Sequence, residues 1–220
     1  MKTFNFNNTS LWNSALAVSV VFSVFIIPVF PEGLQRLLFR ISYSMIYLSA
    51  LFVLESRSKK LLTLFFSTFL VEWISAIFDF KLIHDFSKGL NILFFIVIII
   101  SLIWQIAKSE KVTASVILSS VTGYLLLGLM YSIFVSFIIV SDSGAYSNTG
   151  ESGAPLSGTS TPLYYTFVTI ASLGYGDICP LKPYTRSLAT LIAVSGQFYM
   201  AVIVALLVGK FSNNISGNKA

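Results

Sequence analysis

Six apolar runs, each long enough to cross a bilayer, leave this chain few folds. They cover residues 11–30, 37–54, 61–78, 90–107, 112–140 and 187–208. A helix rising about 1.5 Å per residue needs about 20 residues to cross a hydrocarbon core about 30 Å thick. Helices rather than barrel strands are required, because barrel strands alternate apolar and polar side chains and the stretch FFIVIII over 94–100 does not. Composition closes off the soluble alternatives. Of the 220 residues 55% are hydrophobic and 10% charged, whereas soluble chains carry about 25% charged residues. So few polar side chains cannot coat a water-soluble domain. About six spans and their connections consume the length, so no fused ligand-sensing domain is expected. The fold class is all-α integral membrane.

Fourteen Lys and Arg against nine Asp and Glu give a net charge of +5. In a soluble chain that excess would raise nucleic-acid binding; here its distribution speaks to topology instead. One side of a six-span scheme collects Lys2, Arg57, Lys59, Lys60, Lys108, Lys111, Lys210 and Lys219 against Glu55 and Glu110. The other collects Arg36, Lys81, Lys88, Lys182 and Arg186 against Glu32, Asp79, Asp85, Asp142, Glu151 and Asp177. The positive-inside bias assigns the first side, with both termini, to the cytoplasm. A single cysteine, Cys179, and a single histidine, His84, cannot supply a disulfide framework or a multi-ligand zinc site. No cofactor, nucleic-acid partner or enzymatic activity is expected. The first run lacks a basic cluster and a small-residue cleavage site, and reads as an uncleaved span.

Between the fifth and sixth runs, residues 141–161 are rich in Ser, Gly and Thr and read as an exposed loop. An apolar segment too short to cross follows. Thr161 and Pro162 open it with a capping residue and a proline at the first helical position, and a helix is expected through Ala171. The segment ends in SLGYGD, Ser172 to Asp177. A helix that stops halfway through a bilayer leaves carbonyls that must be buried in protein or face a water-filled cavity, and its negative end favours a cation. Gly174 and Gly176 permit positive φ, so consecutive carbonyls can point one way and replace a cation's water shell.

SLGYGD behind a short aromatic-led helix, together with GQFYMAVIVALLVG in the sixth run, resembles the pore of the tetrameric potassium channels, bacterial six-span members included. The family's filter is commonly written TVGYG. The resemblance is close from Tyr164 to Gly209. It implies K+ sites on the carbonyls of Ser172, Leu173, Gly174 and Tyr175, continuing to Gly176, with the Ser172 hydroxyl completing the innermost site. Ser172 in place of the usual Thr loses a methyl that restricts the rotamer, and Leu173 stands where Val is usual; slightly looser selectivity is compatible with both. Tyr164, Tyr165 and Tyr175 form an aromatic brace with a Tyr164 hydroxyl on Asp177, or else sit as interfacial tyrosines. Cys179 falls where family members face the outer mouth. One filter per chain cannot surround an ion, so the resemblance implies a homotetramer.

In the sixth run Gly196 stands at the family's hinge position, with a packing glycine as the competing reading. Gln197, Met200, Val204 and Val208 recur at helical spacing; either they face the conduction path, Gln197 lining the cavity and the apolar three gating by dewetting, or they pack against other helices. Residues 90–107 carry no arginine, so steep voltage dependence is not expected. Arg40 and Glu72 lie inside the leading spans and are expected to pair across them. The organisation expected is a four-span membrane domain over 1–108, a pore domain over 109–211 and a short cytoplasmic tail over 212–220. The implied partners are other copies of the chain, membrane lipid and a separate regulatory subunit. A potassium-selective channel of the cell membrane is the first reading. A weakly selective cation channel, a potassium transporter subunit needing four pore repeats, and a structural membrane protein with a decayed pore are its competitors.

Overall fold

The computed structural model describes residues 6–53, 59–77, 81–109, 111–148, 156 and 158–217. Its helices are α1 (Phe6–Val21), α2 (Glu32–Val53), α3 (Lys59–Ile77), α4 (Lys81–Lys108), α5 (Ala114–Ser141), α6 (Thr161–Ile170) and α7 (Pro183–Gly217). The architecture is all-α and that of a membrane protein. Among the described residues five helices are long and apolar enough to cross: Ser10–Val29, Glu32–Val53, Asp85–Lys108, Ala114–Ser141 and Pro183–Phe211. α3 contributes the apolar stretch Thr63–Ser75 among the described side chains.

α1 does not end cleanly. It passes into a π-turn over Phe22–Ile26 and a 3-10 turn over Ile27–Val29, because Pro28 has no N–H to continue the α ladder. Gln35 Nε2 then donates to the Phe30 carbonyl at 2.7 Å, tying the turn to the start of α2.

α5 is the central element, packed on α1, α4, α6 and α7. In lipid there is no hydrophobic drive between helices, so close packing must hold them, and small residues provide it here. A Cβ at Gly123 would stand 2.2 Å from Tyr199 Oη, and one at Gly128 would stand 2.4 Å from the Phe167 ring. Tyr199 Oη, fitted over Gly123, donates to the Ser120 carbonyl at 2.9 Å. The leading helices also dock on α5 directly: Asn13 Nδ2 of α1 donates to Ser115 Oγ at 2.7 Å.

One expectation for the connecting segments needs correction. The loop over 141–161 is not wholly irregular: β1 (Tyr146–Asn148) pairs antiparallel with β2 (Ile178–Pro180), in the register Tyr146↔Pro180 and Asn148↔Ile178. Ala145 and Tyr146 are buried under this ribbon, so part of a polar-looking segment is anchored. α7 runs on to Gly217; Gly209 lowers helix propensity but does not stop a helix.

Candidate functional site

The site begins with how α6 starts and stops. Its N-cap is Ser160, not Thr161, and the Ser160 side chain makes no capping bond. With φ −89 and ψ −17, Ser160 lies outside the extended region from which a side chain reaches back to the first amides. At the other end the carbonyls are not left open. Ala171 N–H donates to Phe167, Ser172 to Thr169, and Leu173 and Gly174 both to Val168, over 2.9 to 3.4 Å. The chain turns back on the helix end and satisfies it, which fixes where the next carbonyls begin.

Those next residues alternate in hand. Ser172, Gly174 and Gly176 have φ of +58, +58 and +78, while Leu173 and Tyr175 between them stay on the ordinary negative side. Alternating left- and right-handed residues turn successive peptide planes the same way, so that their polar groups line one edge. Glycine supplies this at 174 and 176 without a Cβ penalty. Ser172 is the one non-glycine among the described residues with positive φ, and its glycine-like backbone was not readable from the sequence.

Side chains buttress the run. Gln197 Nε2 of α7 donates to Ser172 Oγ at 3.0 Å, so Gln197 reaches the base of the run rather than merely facing a cavity. Tyr164 Oη donates to Asp177 Oδ2 at 2.6 Å. That bond, first, pushes the phenol up to about 12, so the donor keeps its proton at neutral pH. Tyr165 is buried and edge-on to Tyr146 with ring centroids 5.0 Å apart, which braces the ribbon. Cys179 Sγ, in β2, donates to the Gly176 carbonyl at 3.2 Å. Leu173 and Tyr175 are exposed in the single chain.

α7 presents two faces. Thr185, Ile192, Gly196, Tyr199 and Ile203 are buried, while Gln197, Met200, Val204 and Val208 are exposed. A Cβ at Gly196 would lie 2.5 Å from the Ile170 carbonyl, so glycine is required there for close approach of α7 to the end of α6.

Arg40 and Glu72 line one cavity of about 670 Å³ but form no ion pair with each other. Glu72 Oε2 instead accepts from Ser87 Oγ at 2.7 Å and from Asn91 Nδ2 at 2.9 Å, and Asn91 Oδ1 accepts from Tyr47. The signal for this alternative was the spacing of Ser87 and Asn91, four residues apart on one face of α4.

Residues 127–213 match the family described as "Ion channel". That match covers the second half of α5, all of α6 and most of α7. Similar proteins include the mouse "Potassium voltage-gated channel subfamily A member 10", 27% identical over 84 residues, which is 38% of this chain and 16% of that protein. The rat "A-type voltage-gated potassium channel KCND3" is 29% identical over 84 residues, 38% of this chain and 13% of that protein. The chain thus matches less than a fifth of the length of these relatives. No solved structure matches it.

Proposed function

We propose that the chain is one subunit of a homotetrameric channel that conducts K+ passively across a cell membrane and prefers it to Na+. The observation that carries this is the alternation of hand through Ser172–Gly176, with positive φ at every second residue. Four such edges around an axis replace the hydration shell of a dehydrated cation, with sites on the carbonyls of Ser172, Leu173, Gly174 and Tyr175 and on the Ser172 hydroxyl. The names of the similar proteins favour potassium as that cation.

The tetramer is supported by the lopsided burial of the crossing helices. Within one chain 22% of the most apolar window of α7 is buried against 61% of that of α5, so α7 has a face for neighbouring copies. Met200, Val204 and Val208 on that face form the apolar constriction of the path. Gating is not steeply voltage-dependent, because the charges of α4, namely Lys81, Asp85, Lys88 and Lys108, sit toward its ends; charges moved through the field would supply about 2.3 kcal/mol each per 100 mV.

The test is cation flux into liposomes holding the purified full chain. K+ uptake should exceed Na+ uptake and be blocked by barium. Gly174→Ala should abolish it, because a Cβ at φ +58 is strained although the space beside it is open. Equal K+ and Na+ flux would shift the reading to the weakly selective channel, and no flux from a folded tetramer would leave a structural protein.

A further inference from the structure

The cavity of about 670 Å³ lined by Arg40 and Glu72 holds polar groups that the fold leaves uncommitted. Its outer charges are matched on their own helices. Glu32 and Arg36, both exposed, stand four residues apart at the start of α2, a spacing that sets them side by side on one face. On α4, Asp85 and Glu72 both act on the Lys88 charge. The deeper layer differs. Arg40, one turn further along α2 and half-buried, has among the described residues no side-chain hydrogen bond and no ion pair. Glu72 holds Ser87 and Asn91 through Oε2 alone, which leaves Oε1 open. Ser75 of α3 and Ser136 of α5 also line the cavity, and among the described residues their hydroxyls bond to nothing. By contrast Ser101, Ser120 and Thr122 return theirs to carbonyls of their own helices. A guanidinium left unpaired inside a membrane bundle is costly, and an ionisable group there ordinarily marks a functional site with a definite partner.

We propose that this cavity binds an α-amino acid as its zwitterion, with the ligand's carboxylate on Arg40 and its ammonium on Glu72. The planar guanidinium offers a carboxylate two parallel donors. An ammonium carries three donors, and Glu72 Oε1 with the Ser75 and Ser136 hydroxyls gives it three acceptors. One cation and one carboxylate that line the same cavity without pairing suit a ligand that brings both charges and no net charge. A plain anion would satisfy Arg40 and be repelled by Glu72; a plain cation meets the reverse. The volume falls within the usual range for small-ligand sites, about 300 to 1,000 Å³, and exceeds what glycine fills. Walls at Phe39, Ile133 and Leu163 accept an apolar side chain, so the occupant is of the leucine or phenylalanine kind. Such binding needs only the packing of α2 to α6 and does not depend on ion conduction.

Isothermal titration of the purified full chain with L-leucine and L-phenylalanine tests it. Two analogues of leucine are titrated beside them: L-leucinamide, which lacks the carboxylate, and N-acetyl-L-leucine, which lacks the ammonium. At least one of the two amino acids should bind saturably, and each leucine analogue at least tenfold more weakly than its parent, because each has lost a charge-assisted contact. Arg40→Gln and Glu72→Gln should each weaken amino-acid binding at least tenfold. Lys108→Gln, a cation at the opposite end of α4, should leave it unchanged. Should either charge variant fail to fold, Ser136→Leu makes the comparison, since it fills the cavity without touching a charge and should abolish binding. Absence of saturable binding by both amino acids overturns the proposal, as does wild-type affinity in the cavity variants. N-acetyl-L-leucine bound as tightly as L-leucine would mean that the carboxylate alone is read, and overturns the zwitterion as occupant. L-leucinamide bound as tightly would do the same from the ammonium side.

Discussion

Ser172 adopts a left-handed backbone without glycine's exemption, a conformation that costs an L-residue about 1 to 2 kcal/mol. Such strain persists when neighbours over-determine it. Here the Ser172 N–H is fixed to the Thr169 carbonyl at 3.0 Å and its Oγ accepts from Gln197 Nε2. Without the methyl of a threonine the hydroxyl has more rotamer freedom, so Gln197 does by hydrogen bonding what a branched side chain does by sterics. Replacing Gln197 by Leu removes a neutral hydrogen bond, about 1 kcal/mol, or about a fivefold loosening of the hydroxyl's preferred orientation. The K+/Na+ permeability ratio of Gln197→Leu should fall severalfold, and adding Ser172→Thr should restore most of it. A ratio unmoved by Gln197→Leu, with flux otherwise normal, would show that the bond does not set the innermost site.

At the scale of elements, α7 touches its own chain through one narrow stripe and is pinned near both ends. At one end Tyr184 Oη donates to Asp142 Oδ2, and Thr185 Oγ1 donates to the Ala145 carbonyl at 3.2 Å, tying α7 to the end of α5 and the ribbon. The Tyr184 bond, then the Gly144 N–H and more weakly Lys182, hold the Asp142 carboxyl below the usual carboxylate range, with slight desolvation opposing them. A lowered folded value means the tie is complete above the ordinary aspartate value, about 3.9, and is lost as pH falls through the folded one. Thermal stability should therefore drop between about pH 4 and lower values, and Tyr184→Phe should flatten that drop. Toward the far end Lys210 Nζ donates to the carbonyls of Ile106, Ala107 and Ser109. This is an ammonium on the negative end of α4, a placement that stabilises a helix C-terminus by about 0.3 to 1 kcal/mol. Lys210→Met should raise amide exchange over 105–109 about threefold, without raising it at Tyr164–Ile170. Unchanged exchange would mean the two helix ends are held by packing alone.

For the whole molecule, what the sequence disclosed and what it hid divide by range. Apolar runs located the crossing helices, because each run is its own signal, and Gly174-Tyr175-Gly176-Asp177 located the turn of alternating hand. Contacts between distant positions did not show: Gln197 lies 25 residues from Ser172, and Tyr146 reads as loop until β2 pairs with it. Arg40 and Glu72 were visible as charges in spans, but the choice of Ser87 and Asn91 over Arg40 is tertiary. One global consequence follows from a short connection. Residues 109–113 alone join α4 to α5, and at about 3.5 Å per residue they hold the two helix ends within about 20 Å of each other. α1 and α4 accordingly pack on the α5 of their own chain, and in the proposed tetramer the leading helices do not exchange partners. Asn13 and Ser115, 2.7 Å apart at their polar atoms, report on this arrangement. In a Cys179→Ser background, cysteines at 13 and 115 should on oxidation form a bridge within one chain, migrating as a monomer on a denaturing gel. A ladder of dimers to tetramers from the same pair would place α1 against a neighbour's α5 and reverse the assignment.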